Sequence, residues 1–374
     1  MKIILLANTD WYLYNFRLSL AESIRSNGDQ LTLLSPQGPY VKKIKNMGFK
    51  WIEINLSRKG NNPLKEIATI KQIASIYRAE KPDLVHHFTV KCVNYGSLAA
   101  KLAGVKKIIN AITGLGYVFL NENTHTRIMR WIVEYFYRIS LKNTTVVFQN
   151  EDDLQLFKRN RLITQGQASI IPGSGVDIDK FTQVKEPEGI PSVILIARLL
   201  RDKGVYEFVE AAKIIIEQSH HARFILVGDI DEGNPASLTK NELQDWVQKG
   251  VIEWWGWRDD VIDVYHCANI VCLPSYREGI SRTLIEAGAC GKPLITTNVP
   301  GCKQVVIDGE NGFVVPQKNA EELAKALVKL IINPELRRVM GMRSREIVTE
   351  KFSSYIINSQ TLALYEKIKG GINA

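Results

Sequence analysis

Short apolar runs alternate with longer amphipathic stretches along almost the whole chain. In the first half, residues 2–7, 31–35, 51–54, 84–87, 107–112, 145–149 and 168–171 predict strands. Between them, 15–26, 64–78, 93–103 and 126–141 carry helical periodicity. The second half repeats the rhythm, with strands at 193–197, 223–227, 252–255, 270–273, 294–297 and 312–315. Its helices are predicted at 205–217, 236–249, 261–267, 282–290 and 320–332. Strand–helix alternation with β-branched strands implies α/β architecture, with parallel sheets covered on both faces.

Two such series predict two Rossmann-like domains, and 374 residues suit that count. Pro172, Gly173, Gly175, Pro187, Gly189 and Pro191 mark the seam. The expected first domain is therefore 1–175, the hinge 176–191 and the second domain 192–352. Two more helical stretches, 335–350 and 355–369, follow Asn333-Pro334. A sheet domain is complete by then, so the last helix, within 353–374, is expected to cross back to the first domain. Ligands of open parallel sheets bind beyond the carboxyl ends of the strands. Two facing sheets would form a cleft with two half-sites, suited to a reaction between two substrates.

Composition narrows the classes. Hydrophobic residues at 45% and charged residues at 23% are a globular balance. No run approaches the roughly 20 apolar residues of a membrane span. The opening MKIILLANTD reads as a first buried strand, not a leader peptide, and the protein as cytoplasmic. Five scattered cysteines without a C-x-x-C pair argue against a zinc site or a disulfide framework. The net charge of +9 is unevenly placed. Residues 1–180 hold 25 Lys and Arg against 14 Asp and Glu, and the remainder 23 against 25. A basic first half suits an anionic membrane or a phosphorylated ligand. No nucleic-acid signature accompanies it, so nucleic acid is not an expected partner.

The stretch SYREGISRTLIEAGACG, from residue 275, carries the first chemical signal. Its loop follows a strand end, and Gly279 lets backbone approach a ligand closely. Ser281 is placed to cap a helix beginning at Arg282, which aims the amides around Ile280, Ser281, Arg282 and Thr283 at a phosphate. Glu278 precedes that seat and Glu286 lies one turn beyond it. A carboxylate accepts two donors and so suits a sugar diol. A capped surface helix with incidental acids fits the same spacing. The loop ARLLRDKG, from residue 197, adds Arg198 and Lys203 beside a second helix start. Two cations there make a diphosphate clamp that can neutralise a departing nucleoside diphosphate.

Together these stretches resemble the retaining glycosyltransferases of family 4, which have the two-domain GT-B fold. The likeness is carried by Arg198 and Lys203, by the E-x7-E pattern of Glu278 and Glu286, and by PGSGVD at 172–177. The resemblance implies that Arg198 and Lys203 hold the donor diphosphate, Glu286 the ribose and Glu278 the transferred sugar. It also implies that the loop 256–260, with Gly256 and Arg258, reads the base, expected to be uracil. It implies retention without a stable covalent intermediate, and no metal or other cofactor, the UDP-sugar being a substrate. Asp177-Ile178-Asp179 and Asp229-Ile230-Asp231 spell the D-x-D of a different transferase fold, and no metal is expected at either.

The first half departs from the family pattern. Asn8-Thr9-Asp10-Trp11 stands where many members have a Gly-Gly loop, and Thr113 and Gly114 stand near the place of a histidine. His86 and His87 end a strand, where alternation can face one to the cleft and pack the other; with Thr113 and Gly114 they are candidate acceptor contacts, and a core or structural role fits either histidine equally. Tyr14-Asn15-Phe16-Arg17, Lys91 with Asn94, and Gly114-Leu115-Gly116 resemble the branch that extends undecaprenyl-diphosphate-linked saccharides. Arg17 and Lys91 are then expected to bind the acceptor's diphosphate, with surface charge as the alternative. Within 124–142, Arg127, Arg130, Arg138 and Lys142 mix with Trp131, Tyr135, Phe136 and Tyr137. The stripe Ile128, Ile132, Tyr135, Phe136 and Ile139 is expected in the core. The basic edge, beside VKKIK at 41–45, is expected on an anionic leaflet.

The leading expectation is thus a transferase on the inner face of the cell membrane. It would move a hexose or N-acetylhexosamine from a UDP-sugar to a polyprenyl-diphosphate saccharide, forming an α bond. A soluble acceptor, a sugar-nucleotide 2-epimerase and a non-catalytic lectin or nucleotide-sensing module are the rivals.

Overall fold

The computed structural model describes residues 1–57, 62–114 and 124–370, apart from the side chains of 124–128. Arg127, Ile128, Leu115 and Gly116 therefore lie outside what is described here. The residues fall into two compact units, Met1–Ser174 with Ser354–Ala374, and Gly175–Ser353.

In the first unit, β1 (Lys2–Leu6), β2 (Gln30–Ser35), β3 (Lys50–Glu53), β4 (Leu84–Phe88), β5 (Lys107–Ile112), β6 (Thr145–Phe148) and β7 (Ala168–Ile170) form one parallel sheet. Its order is β3-β2-β1-β4-β5-β6-β7, so the direction of winding switches beside β1. The helices are α1 (Asp10–Ser26), α2 (Val41–Asn46), α3 (Pro63–Glu80), α4 (Val90–Ala103), α5 (Thr124–Ser140) and α6 (Glu151–Arg159).

The second unit repeats the design with β8 (Ser192–Ile196), β9 (Arg223–Val227), β10 (Glu253–Trp254), β11 (Ile270–Leu273), β12 (Leu294–Thr297) and β13 (Gly312–Val315), in the order β10-β9-β8-β11-β12-β13. Its helices are α7 (Val205–Glu217), α8 (Lys240–Gln248), α9 (Val261–His266), α10 (Arg282–Ala289), α11 (Ala320–Ile331) and α12 (Pro334–Lys351). α8 starts later than its periodicity suggests, because Thr239 and Glu242 form a capping box there. The stretch 176–191 is tied to this unit. The Arg345 guanidinium donates to the carbonyls of Ile178 and Phe181, and Arg337 pairs with Glu186. α13 (Ser354–Lys369) joins the first unit, where Asn358 donates to Ser23 at 3.1 Å.

Alternation along β1 shows how the first unit is filled. Ile3 and Leu5 pack with Leu13 and Leu20 of α1 and Leu364 of α13, whereas Ile4 and Leu6 pack with Ile73 of α3 and Ala99 of α4. A strand buried on both faces reads as a continuous apolar run, as KIILL does. In this sheet His86 sits beside Leu5 and His87 beside Leu6. Alternation therefore sends the two imidazoles toward opposite faces of the sheet, where both are buried.

The stripe of α5 calls for a correction. Val133, Tyr137 and Leu141 pack against Val93, Phe148 and Phe157, while Ile132, Tyr135, Phe136 and Ile139 are exposed. The helix carries two apolar faces, and the packed one is not the face expected. The pairing of α5 with VKKIK also fails. That segment forms α2, leading to the β3 edge, whereas α5 leads to β6 on the other flank of the sheet.

Candidate functional site

The parallel strands of the second unit bring the loops after β8, β9, β11 and β12 to one edge. After β8 the chain makes a single 3-10 turn, Arg201–Lys203, and enters α7 through Gly204 at φ 73°. A Cβ at Gly204 would run into the Pro274 carbonyl, so glycine lets this turn sit against the loop after β11. Backbone hydrogen bonds lace the neighbours together. Tyr276 N donates to Asp202 O at 2.8 Å, Glu278 N to Pro300 O at 3.1 Å and Ser281 N to Gly301 O at 2.8 Å. On the far side, Leu199 N donates to Asp229 O at 3.0 Å and Arg201 N to Ala236 O at 2.7 Å. The Tyr276 hydroxyl donates to Glu207 Oε1 at 2.6 Å, anchoring the loop to α7.

This lacing sets the side chains. Lys203 Nζ lies 2.5 Å from Glu278 Oε1, with side chains 20% and 15% exposed. Arg198 donates to Asp231 Oδ2 at 2.9 Å, near the surface. Arg282 Nε pairs with Glu286 Oε1 at 2.6 Å, across one turn of α10. The buried Tyr265 hydroxyl lies 3.1 Å from Glu286 Oε2 and 3.2 Å from the Thr283 carbonyl. Burial first, and the Glu286 charge second, hold that phenol well above its ordinary pKa, so it stays a donor. Ser281 caps α10 by accepting Leu284 N at 3.4 Å, and Thr283 Oγ1 donates to Ile196 O at 3.1 Å. Ile280 is half-buried against the core, and Gly279 is buried within the loop. Each carboxylate is held by a cation, and the helix start lies within the same loop system, the arrangement that seats an anion.

Gly256 stands at φ 67° and accepts from Gly228 N at 2.8 Å, which places the loop 256–260 on the same edge. There the exposed Arg258 side chain turns onto Asp260, with Nε to Oδ1 at 2.7 Å. The two D-x-D stretches have local partners. Asp177 Oδ1 accepts the amides of Asp179 and Lys180, and Asp231 accepts from Arg198 and from Asn234.

The first-unit residues are placed differently. α1 begins at Asp10, capped by Thr9, so Arg17 is two turns into a helix and only 5% exposed. Its guanidinium lies 4.1 Å from the centre of the Phe88 ring, and Nη2 donates to the Tyr12 hydroxyl at 3.0 Å. Lys91 spans to Ser57 O at 2.9 Å and to Glu66 Oε1 at 3.0 Å. His86 Nδ1 meets the Tyr365 hydroxyl at 2.7 Å. His87 Nδ1 donates to Asn110 Oδ1 at 2.9 Å, and its Nε2 accepts from Tyr77 at 3.1 Å. Burial pushes His87 down to about 4, against the hydrogen bond it donates to Asn110, which raises it. Burial, then the Arg17 charge, holds His86 well below its ordinary value. Both imidazoles are buried and neutral, which fits the core role weighed for either. Thr113 and Gly114, at φ 136° for the glycine, are half-buried after β5.

Sequence reasoning missed Asp231, Tyr265, Glu207 and Tyr276 as partners that orient the site. Their only signal is proximity in the fold, since each lies 21 or more residues from the side chain it serves, apart from Tyr276, two before Glu278. Thr89 was missed as well. It holds φ 72°, ψ 154° at the turn from β4 into α4, a strained region for an L-residue.

Comparison with known proteins fits this geometry. The family model described as "Glycosyl transferases group 1" matches residues 177–347, and that described as "Glycosyl transferase 4-like" matches 2–150. An N,N'-diacetylbacillosaminyl-diphospho-undecaprenol alpha-1,3-N-acetylgalactosaminyltransferase from Campylobacter jejuni is 26% identical, over 98% of this chain and 99% of that one. A UDP-Gal:alpha-D-GlcNAc-diphosphoundecaprenol alpha-1,3-galactosyltransferase from Escherichia coli is 25% identical, over 78% and 76%. The solved sucrose-phosphate synthase of Thermosynechococcus elongatus has the same fold, at a TM-score of 0.83 and 20% identity, over 99% of this chain and 100% of that one. The fold is GT-B and the chain is a glycosyltransferase, its second unit matching the group 1 model and its first the 4-like model.

Proposed function

We propose that this glycosyltransferase moves a hexose or N-acetylhexosamine from a UDP-sugar to a saccharide carried on a polyprenyl diphosphate. The product bond is α, formed with retention, and the product is an intermediate of surface glycan assembly. The names of the relatives from Campylobacter jejuni and Escherichia coli support the acceptor class, and the second supports a UDP donor. The observation that carries the reading is the Lys203–Glu278 pair at the carboxyl edge of the second sheet, beside the start of α10.

In the proposed reaction Arg198 and Lys203 bind the donor diphosphate. An ammonium has three protons, so Lys203 can keep Glu278 and still donate to phosphate. The bond between the anomeric carbon and the phosphate oxygen breaks, and its electron pair leaves with UDP. The acceptor oxygen bonds to that carbon on the same face, and its proton passes to the departing phosphate. The two cations stabilise the charge that grows on the leaving group, without a metal ion. Glu286, oriented by Tyr265 and Arg282, receives the ribose hydroxyls. Glu278 contacts the transferred sugar, and the loop with Gly256 and Arg258 meets the base. The enzyme works at the inner face of the membrane, and among the described residues no helix is long and apolar enough to cross it.

A panel of UDP-sugars against polyprenyl-diphosphate saccharides, with the product linkage read by NMR, tests the proposal. One donor should yield an α-linked product and UDP. Product from the UDP-sugar without acceptor would indicate an epimerase, and turnover only on a soluble sugar would remove the lipid-linked acceptor.

A further inference from the structure

α5 shows the solvent a face that a water-soluble surface helix does not usually carry. Met129, Trp131, Ile132, Tyr135, Phe136 and Ile139 are all exposed, Trp131 at 64% and Tyr135 at 50%. They lie at helical spacing on one side, opposite the packed Val133, Tyr137 and Leu141. The Trp131 and Tyr135 rings stack at 6.0 Å, one turn apart. Contiguous apolar surface of this kind marks an interaction site.

The charges beside this face say what covers it. Arg130 and Arg138 both reach Glu134, at 3.0 and 3.4 Å, so the one acid of the described helix side chains is outnumbered by its own partners. Arg138 continues the ridge of Trp131 and Tyr135 along the helix, Lys142 follows in the turn just past its end, and both are exposed. Arg138 also touches the Asn160 carbonyl at 3.4 Å, which brings up the end of α6, where Lys158, Arg159 and Arg161 are exposed. Aromatic and aliphatic side chains flanked by unbalanced positive charge match the interface of an anionic bilayer: rings at the headgroup level, cations on the phosphates.

We propose that the outward face of α5, apolar stripe included, seats the protein on an anionic lipid surface. This deepens the proposal of a membrane-borne acceptor by naming the element that docks. Trp131, Tyr135 and Phe136 enter the headgroup region, and Arg138, Lys142 and the α6 end neutralise lipid phosphates. The helix lies in the plane of the interface, because its opposite face is committed to the core.

The test uses the full chain and sedimentation with vesicles of phosphatidylcholine containing phosphatidylglycerol, with pure phosphatidylcholine vesicles alongside. Wild type should sediment with the anionic vesicles and lose much of that binding at high salt. The variant W131S with Y135S alters exposed positions only. It should keep the circular dichroism and the oligomeric state of the wild type, and lose at least about tenfold in partition, the worth of about 1.4 kcal/mol. Sedimentation of that variant like wild type would overturn the proposal. So would a wild-type dimer that the variant converts to monomer without any vesicle binding, since the face would then cover a second copy. The acceptor reading is separable by assay in detergent micelles, where docking is not needed. Vesicle binding without turnover of any polyprenyl-diphosphate saccharide in micelles would sink the substrate and keep the docking face.

Discussion

At the carboxyl edge of the second sheet, Arg198, Lys203, Glu278 and Glu286 are partly exposed and held in ion pairs by laced loops. At the corresponding edge of the first sheet, Arg17 lies on Phe88, Lys91 braces α4 against α3, and two histidines are sealed in separate cores. The same topology thus leaves charged groups partly exposed in one unit and buries or braces them in the other. The lesson concerns burial. A polar side chain at a strand end becomes available only where the loops beyond it carry it away from the core. Here Gly204 and Gly301 allow that on the second unit, by letting adjacent loops pass in contact.

The sharpest way to break the comparison is Lys203→Ala. Loss of a cation that stabilises the leaving group should lower kcat by about 10²–10³-fold, with the fold intact by circular dichroism. Wild-type turnover would place the chemistry elsewhere. His87→Ala makes the opposite case. It leaves the buried Tyr77 hydroxyl without its partner and takes one of three from Asn110, which keeps Ser97 and Thr144, and should cost about 2–3 kcal/mol in urea unfolding. The KM of the folded enzyme for acceptor should stay near wild type. An intact stability with a raised acceptor KM would return His87 to the site.

A weaker effect follows from pH. His87 has a folded pKa of about 4 against an ordinary 6.5, and His86 is lowered too. Between these values the unfolded chain binds more protons, so the stabilising contribution is complete above about 6.5 and is lost as pH falls toward 4. Unfolding free energy should fall by roughly 1.4 kcal/mol per pH unit for His87 in that window, with His86 acting in the same direction. His87→Ala should flatten the slope, and an unchanged slope would remove the buried neutral imidazole as its source. The smallest effect is expected for Asp231→Asn. Its pair with Arg198 is surface-exposed, so stability should shift by only about 0.2–1 kcal/mol. Donor affinity should rise a few-fold at most, as the guanidinium no longer leaves a carboxylate to meet phosphate; weaker donor binding would make Asp231 part of the donor site instead.

The second unit was legible because its signals are local. Ser281 capping α10, Gly204 before α7 and the spacing of Glu278 and Glu286 all sit within one strand–loop–helix segment each. The alternation of apolar runs likewise located most strands, though β10 is only Glu253–Trp254, shorter than its run suggests. The first unit was harder to read because its polar residues meet partners far along the chain. His86 finds Tyr365 of the last helix, and Asn110 collects His87, Ser97 and Thr144. α5 misled for another reason. Its residues supply two apolar stripes, and periodicity alone does not say which one a neighbour will cover. The start of α1 at Asp10 was hidden because Thr9 is a modest cap followed by a run of aromatic residues.

Calorimetric titration with UDP tests the contrast between the two edges most directly. Arg198→Ala combined with Lys203→Ala should weaken UDP binding about a hundredfold, or about 2.7 kcal/mol, while Lys91→Ala leaves it unchanged. Unaltered UDP affinity in the double variant, or its loss in folded Lys91→Ala, would contradict a donor site built on the second sheet.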